Sequence, residues 1–188
     1  MMRSKCHEFS ISFSRVLYIY AALLLLLIPV RLLFAATVSA VVHELCHIAA
    51  VRLMGLQIYA IHIGTRGAVI RTQSMKPSYE LVCALAGPAG GLLLLLLLRW
   101  MPVIALTGAV QSMYNLLPIY PTDGGRALRC GVQLLWPDKT AHKISYIIET
   151  VALSFIIAFC VYGSVCLRLG IIPILFGASL LLRSAKSK

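Results

Sequence analysis

Apolar residues in this chain come in long runs, such as Leu92 to Leu98, broken by short clusters of charge and proline. Set against the ~20 residues that a helix needs to cross a bilayer, the runs predict six spans, at about 13–30, 32–54, 79–98, 102–118, 144–166 and 170–182. The fourth and sixth are short, which implies tilt or partial burial. One segment has a different rhythm. Between residues 56 and 76, Gln57, Tyr59, Ile61 and Ile63 alternate with Leu56, Ile58, Ala60 and His62. Gly64-Thr65-Arg66-Gly67 then reads as a turn, and Ala68 to Thr72 as a returning strand. A short β-hairpin is predicted there. Its free edge can take up an extended peptide, or the hairpin can simply pack on the helices; the pattern fits both equally.

Composition agrees with the runs. The 188 residues are 60% hydrophobic and 12% charged, against roughly 25% charged in a soluble domain. Mean hydropathy is +0.91. The expected fold class is an all-α polytopic membrane protein of about six transmembrane helices with a short cytosolic β-hairpin, built as one membrane-embedded domain over 1–188. The net charge of +11 does not point to nucleic acid, because the basic residues flank apolar runs instead of clustering on a soluble element. With the N-terminus placed in the cytosol, only Arg31, Arg99 and Arg168 of the 17 basic residues fall outside. Positive-inside therefore predicts a multi-pass cell-membrane protein with both termini cytosolic. The N-terminal run resembles a signal peptide but has a weak cleavage pattern, and reads as a retained first span. The six cysteines form no CxxC pair, which argues against a disulfide framework. Trp100 and Trp136 read as interface anchors.

The second run carries the chemistry. His43-Glu44-Leu45-Cys46-His47 puts three ionisable side chains into an apolar stretch, and such groups are costly there unless they serve a function. His43 and His47 are four apart, so on a helix they leave one face and can grip one metal ion. Glu44 stands beside them, where a general base is needed. Cys46 faces about 100° away from His47 and suits packing. The plain alternative, two imidazoles and a carboxylate paired with each other in a helix core, leaves a membrane carboxylate with few partners.

A catalytic zinc takes three protein ligands, so a third is required. Candidates are Glu80, Asp123, Asp138, Glu149, His62 and His142. Asp123 fits best. It lies in Asn115-Leu-Leu-Pro118-Ile-Tyr-Pro121-Thr-Asp123-Gly124-Gly125-Arg126, where two prolines break the fourth span at the same face as His43 and His47. Broken backbone at membrane depth is tolerated where it is buried or lines a cavity. Taken alone, the segment also reads as a helix-ending turn with Asp as cap. His62 reads as interfacial and His142 as solvated, and Glu149 either supports the site from behind its ligands or, the reading preferred, pairs with a cytosol-facing base.

His-Glu-x-x-His in an early span, followed by Asn-x-x-Pro-x-x-Pro-x-x-Asp-Gly-Gly, resembles the site-2 proteases, which are intramembrane zinc metalloproteases. The resemblance covers about residues 32–130, leaving 144–182 as C-terminal accessory spans, and is nearest to the branch of stage IV sporulation protein FB. It implies His43, His47 and Asp123 as ligands of one Zn2+ ion, Glu44 as catalytic glutamate, and Asn115 as a residue that positions substrate or stabilises the oxyanion. Ala86-Gly87-Pro88 matches a Gly-Pro element in the next span, but Gly91 stands where the family commonly has asparagine, and Cys46 where it commonly has glycine. The implied substrate is a membrane protein: a sigma-factor precursor, an anti-sigma factor or a remnant signal peptide, with a regulatory membrane partner also in view. Two other functions remain compatible with the residues. One is a divalent-metal transporter, against which the few polar residues in the other spans speak. The other is an inactive homologue that escorts membrane partners. A prenyl-protein protease, which uses a glutamate as third ligand, lacks its later Glu-x-x-x-Asp pattern here.

Overall fold

The computed structural model describes residues 10–13, 22–64, 67–168 and 170–185. Its elements are β1 (Ser10–Phe13), α1 (Val30–Leu53), β2 (Ile58–Gly64), β3 (Gly67–Thr72), α2 (Pro77–Leu93, extended by a 3-10 turn at Leu94–Leu97), α3 (Pro102–Asn115), α4 (Asp123–Leu135), α5 (Asp138–Val165) and α6 (Ile172–Ala185). Residues 22–27 are also helical.

The protein is mostly helical, and its helices are sorted inside out. On α1 the buried positions are Ala35, Ser39, His43, His47, Ala50 and Val51, small or polar and nearly all one turn apart. Leu32, Phe34, Val41, Leu45 and Leu53 point outward. The inner face of α2 is Cys83, Ala84, Gly87, Pro88, Gly90 and Gly91. Small residues inside and large apolar ones outside suit a lipid surround, where close backbone approach rather than water exclusion joins helices. Ser39 adds a polar link: its Oγ lies 3.2 Å from the Ile104 carbonyl and 3.0 Å from Thr107 Oγ1, tying α1 to α3. α2 is central and packs on α1, α3 and α4; α5 rests on α4, and α6 on α5.

Among the described residues, three helices are long and apolar enough to cross a membrane, Val30–Leu53, Pro77–Leu97 and Asp138–Val165. They correspond to the second, third and fifth predicted spans. The expectation of about six is corrected by length. α3 and α6 have 14 residues each, about 21 Å of helix at 1.5 Å per residue, short of the ~30 Å hydrocarbon core. Pro102 starts α3 and the Pro118–Pro121 segment stops it early. Of the first predicted span, 13–30, residues 14–21 lie outside the described residues, as do Thr65 and Arg66 of the predicted turn.

The hairpin is present, and it is larger than the alternation implied. β2 and β3 pair antiparallel from Ile58↔Thr72 to Gly64↔Gly67, with a bulge between Ile58 and Ala60. β1 adds a third strand, parallel to β2 from Ser10↔Ala60 to Phe13↔Ile63. The order β1-β2-β3 leaves β3 at the outer edge. Ile61, Ile70 and Met75 pack onto a cluster of Ala50, Val51, Leu56, Ile58 and Cys83, which seats the sheet on the last turns of α1 and the start of α2.

The other correction is α4. The Pro-Thr-Asp-Gly-Gly segment read as a turn opens a 13-residue helix. Its N-cap is Thr122, whose Oγ1 accepts from Gly125 N at 3.3 Å; Asp123 is the first helical residue and not the cap. The glycines are there for contact. A Cβ on Gly124 would stand 2.1 Å from Leu116 O, and one on Gly125 2.4 Å from Tyr120 N. The first turn of α4 thus lies directly on the backbone of the 116–120 turn.

Candidate metal centre

His43 and His47 share the buried face of α1, and Asp123 is brought to them by the fold from 80 and 76 residues away. His43 Nε2 is 3.0 Å from Asp123 Oδ2, His47 Nε2 is 3.3 Å from the same oxygen, and the two nitrogens are 3.2 Å apart. Donor atoms bound to one tetrahedral zinc at ~2.0–2.1 Å stand roughly 3.3–3.4 Å from each other. The triangle already has nearly that size. The two imidazoles and the carboxylate form a group able to hold a metal ion.

The surrounding groups present the donors. His47 Nδ1 donates to the Cys83 carbonyl at 2.7 Å, which leaves the Nε2 lone pair of the neutral ring pointing into the triangle, as outer partners of metal-bound histidines commonly do. The two rings meet edge to face with centroids 4.8 Å apart. Asp123 lies on α4, outside the three span-length helices. Burial works to raise its pKa, but the His43 and His47 rings, which donate to it when protonated, outweigh burial and lower it to about 2. The third donor is therefore a carboxylate at neutral pH.

Asn115 also reaches the site: its Nδ2 lies 3.3 Å from His43 Nε2. Glu44 is partly exposed on α1, next to His43 in the chain. The other acids and imidazoles go elsewhere. Glu80 pairs with Arg126 at 3.4 Å, and Glu149 with Arg129 at 2.6 Å. His62 sits in β2 opposite Val69, and Asp138 and His142 are exposed on the first turns of α5. Cys46 packs on α2, where a Cβ on Gly90 would meet its Sγ.

Two features of α2 were not legible as site features. The Cys83 carbonyl, which orients His47, has no sequence signal, because every residue has a carbonyl. Gly87 was legible only as part of a motif. A Cβ there would lie 2.2 Å from His47 Nε2, the donor atom itself. Gly87→Ala is therefore expected to push the ring out of line and weaken metal binding about 10–100-fold, the range that disturbing an outer partner of a ligand costs, in a competition titration; unaltered affinity would show that the ring has room to move. Position 91 is filled from another side: Ser112 Oγ and the Gly108 carbonyl would stand 2.1 and 3.1 Å from a Cβ on Gly91. The packing of α3 on α2 leaves no space here for the asparagine expected at this place.

No family model matches the chain, and no curated protein matches it in sequence. A solved structure does: the site-2 protease from Methanocaldococcus jannaschii matches with a TM-score of 0.63 over 91% of this chain and 86% of that one, at 23% identity. The two share a fold.

Proposed function

We propose that this protein is an intramembrane zinc metalloendopeptidase, which hydrolyses a peptide bond in or near a membrane segment of another protein in the manner of regulated intramembrane proteolysis. The convergence of His43 Nε2, His47 Nε2 and Asp123 Oδ2 carries the reading. A motif of two histidines four apart is short, but a carboxylate delivered to it from another helix at ligand spacing is not expected by chance. The shared fold with a site-2 protease supports the same reading. We assign the chain to that family and, by the lack of an inserted domain, to its sporulation protein FB branch.

One zinc ion, held by His43, His47 and Asp123, would supply Lewis acidity to water and to the scissile carbonyl. Glu44 removes the proton from the attacking water and returns it to the leaving amine. Asn115, whose amide already points at His43, donates to the carbonyl oxygen as charge develops on it. Ser39, buried between α1 and α3, helps hold the helix that carries both histidines.

The substrate must expose backbone, since a helix hides its carbonyls. Among the described residues β3 has no strand partner on its outer side. Beside it opens a cleft of about 760 Å³ lined by Tyr59, Ile70, Gln73, Met75, Glu80 and Arg126. Glu80 is one turn before Cys83 and Arg126 one turn after Asp123, so the cleft shares helices α2 and α4 with the metal group. An extended segment added to β3 enters the site from there. Candidates are a sigma-factor precursor, an anti-sigma factor and a remnant signal peptide. The excess of basic residues on one side of the predicted spans supports a cytosolic position for both termini and for the site's open side.

The test is metal content and cleavage together. The purified protein is expected to hold one equivalent of zinc, lose cleavage of a co-purified membrane substrate when a chelator strips the ion, and regain it on zinc addition. Zinc uptake into vesicles with no peptide bond cut would replace this reading with the transporter.

A further inference from the structure

Glu149 is a buried acid that the proposed chemistry does not use. It lies on α5 and is 8% exposed. A buried carboxylate is costly unless paired with good geometry. Here Arg129 of α4 meets it with two parallel bonds, Nε donating to Oε1 at 2.6 Å and Nη2 to Oε2 at 2.8 Å. Such a fork fixes the plane of the guanidinium as well as its position. The fixed plane has a second contact: Arg129 Cζ stands 3.9 Å from the centre of the Tyr120 ring, within the range of cation–π attraction.

Tyr120 belongs to the turn that joins Asn115 to Asp123, the two residues of this region that reach the metal group. The turn is held from within by Thr122 Oγ1, which lies 2.6 Å from the Leu117 carbonyl and 2.8 Å from the Ile119 carbonyl. It is held from below by α4, where Gly125 approaches Tyr120 N. Arg129 closes it from outside. The α5–α6 pair reaches the rest of the fold chiefly through α4. It also meets Tyr114, next to Asn115, through Phe176, with ring centroids 5.8 Å apart. Both contacts fall on residues that flank the site.

We propose that Glu149 is a positioning residue: through Arg129 and Tyr120 it sets how Asp123 is presented to His43 and His47, so that the C-terminal helix pair governs the metal centre. This deepens the metal-centre reading and rests on it.

The test uses the full chain in detergent, with zinc affinity read by competition against a fluorescent chelator and ligand geometry by the visible spectrum of the Co2+-loaded protein. Glu149→Gln is expected to weaken zinc about 10–100-fold, as loss of outer partners does, and to shift the Co2+ bands. Tyr120→Leu removes the stacked ring without touching α5. It is expected to reproduce both changes, while Tyr120→Phe, which keeps the ring, leaves both as in the unaltered protein. Weakened binding in Glu149→Gln with unaltered binding in Tyr120→Leu would overturn the proposal, because Glu149 would then act only by anchoring α5. Unaltered binding in both would overturn it as well. If Glu149→Gln fails to fold, the two Tyr120 variants decide alone. If the unaltered protein binds no zinc, the metal centre falls and this inference with it.

Discussion

Asp123→Ala is expected to release zinc and end peptide hydrolysis together. The carboxylate is the single negative donor of the group, 3.0 Å and 3.3 Å from the two imidazole nitrogens. Two neutral imidazoles alone give a weak, open site for zinc, which favours four-coordination with three protein ligands. The loss in affinity must exceed the roughly 10–100-fold that outer partners cost, because a ligand itself is gone. The substitution is also a clean one. Asp123 is not the N-cap, so Thr122 still caps α4, and alanine at a first helical position costs little. Gly124 and Gly125, which carry the contact with the 116–120 turn, are untouched. Zinc content by mass spectrometry and helicity by circular dichroism separate the two ways of failing. A folded Asp123→Ala protein that retains one equivalent of zinc and cuts normally would remove Asp123 from the site.

Glu44→Gln is expected to give the complementary result, with zinc retained and turnover lost. Glu44 is not one of the three converging donors, and glutamine keeps its size. What disappears is the ability to take and return a proton. General acid–base catalysis contributes typically 10²–10⁴-fold, so cleavage should fall by about 10³-fold, with zinc affinity near that of the unaltered protein. The pair of variants separates binding from chemistry: one loses the metal, the other only the proton carrier. Comparing membrane proteins from cells carrying Glu44→Gln and unaltered protein should also reveal the substrate, as the species that accumulates uncut. Normal cleavage by Glu44→Gln would assign the proton transfer to another group.

Much of the molecule follows from local rules. Apolar runs of bilayer length become α1, α2 and α5, since a helix satisfies its backbone within the segment. His43 and His47 share a face because they are one turn apart, and Pro102 and Pro118 bound α3 because proline lacks the donor that a helix interior needs. The alternation after Leu56 gave the β2–β3 hairpin for the same kind of reason, a period of two over adjacent residues. Even the pairing of Glu149 with a base was legible from its charge in an apolar run. What the local pattern missed depends on contact between distant segments. β1 is strand only because β2 offers it a parallel partner some fifty residues away. Asp123-Gly124-Gly125 reads as a turn by itself, and becomes helix because the 116–120 backbone packs where side chains would otherwise be.

By itself, then, the order of residues determined the membrane class, the pairing of His43 with His47 and the short list of acids from which a third donor had to come. On that list Asp123 already stood first, but only the tertiary structure brought its carboxylate to the two imidazoles, sent Glu80 to Arg126 and Glu149 to Arg129, and turned the Cys83 carbonyl and Gly87 towards His47. The reason is physical. Periodicity is a property of neighbours on one helix, whereas a donor atom's place at about 3 Å from two others is set by how glycine-lined helix faces close on one another, and that closure is encoded by every packed surface at once.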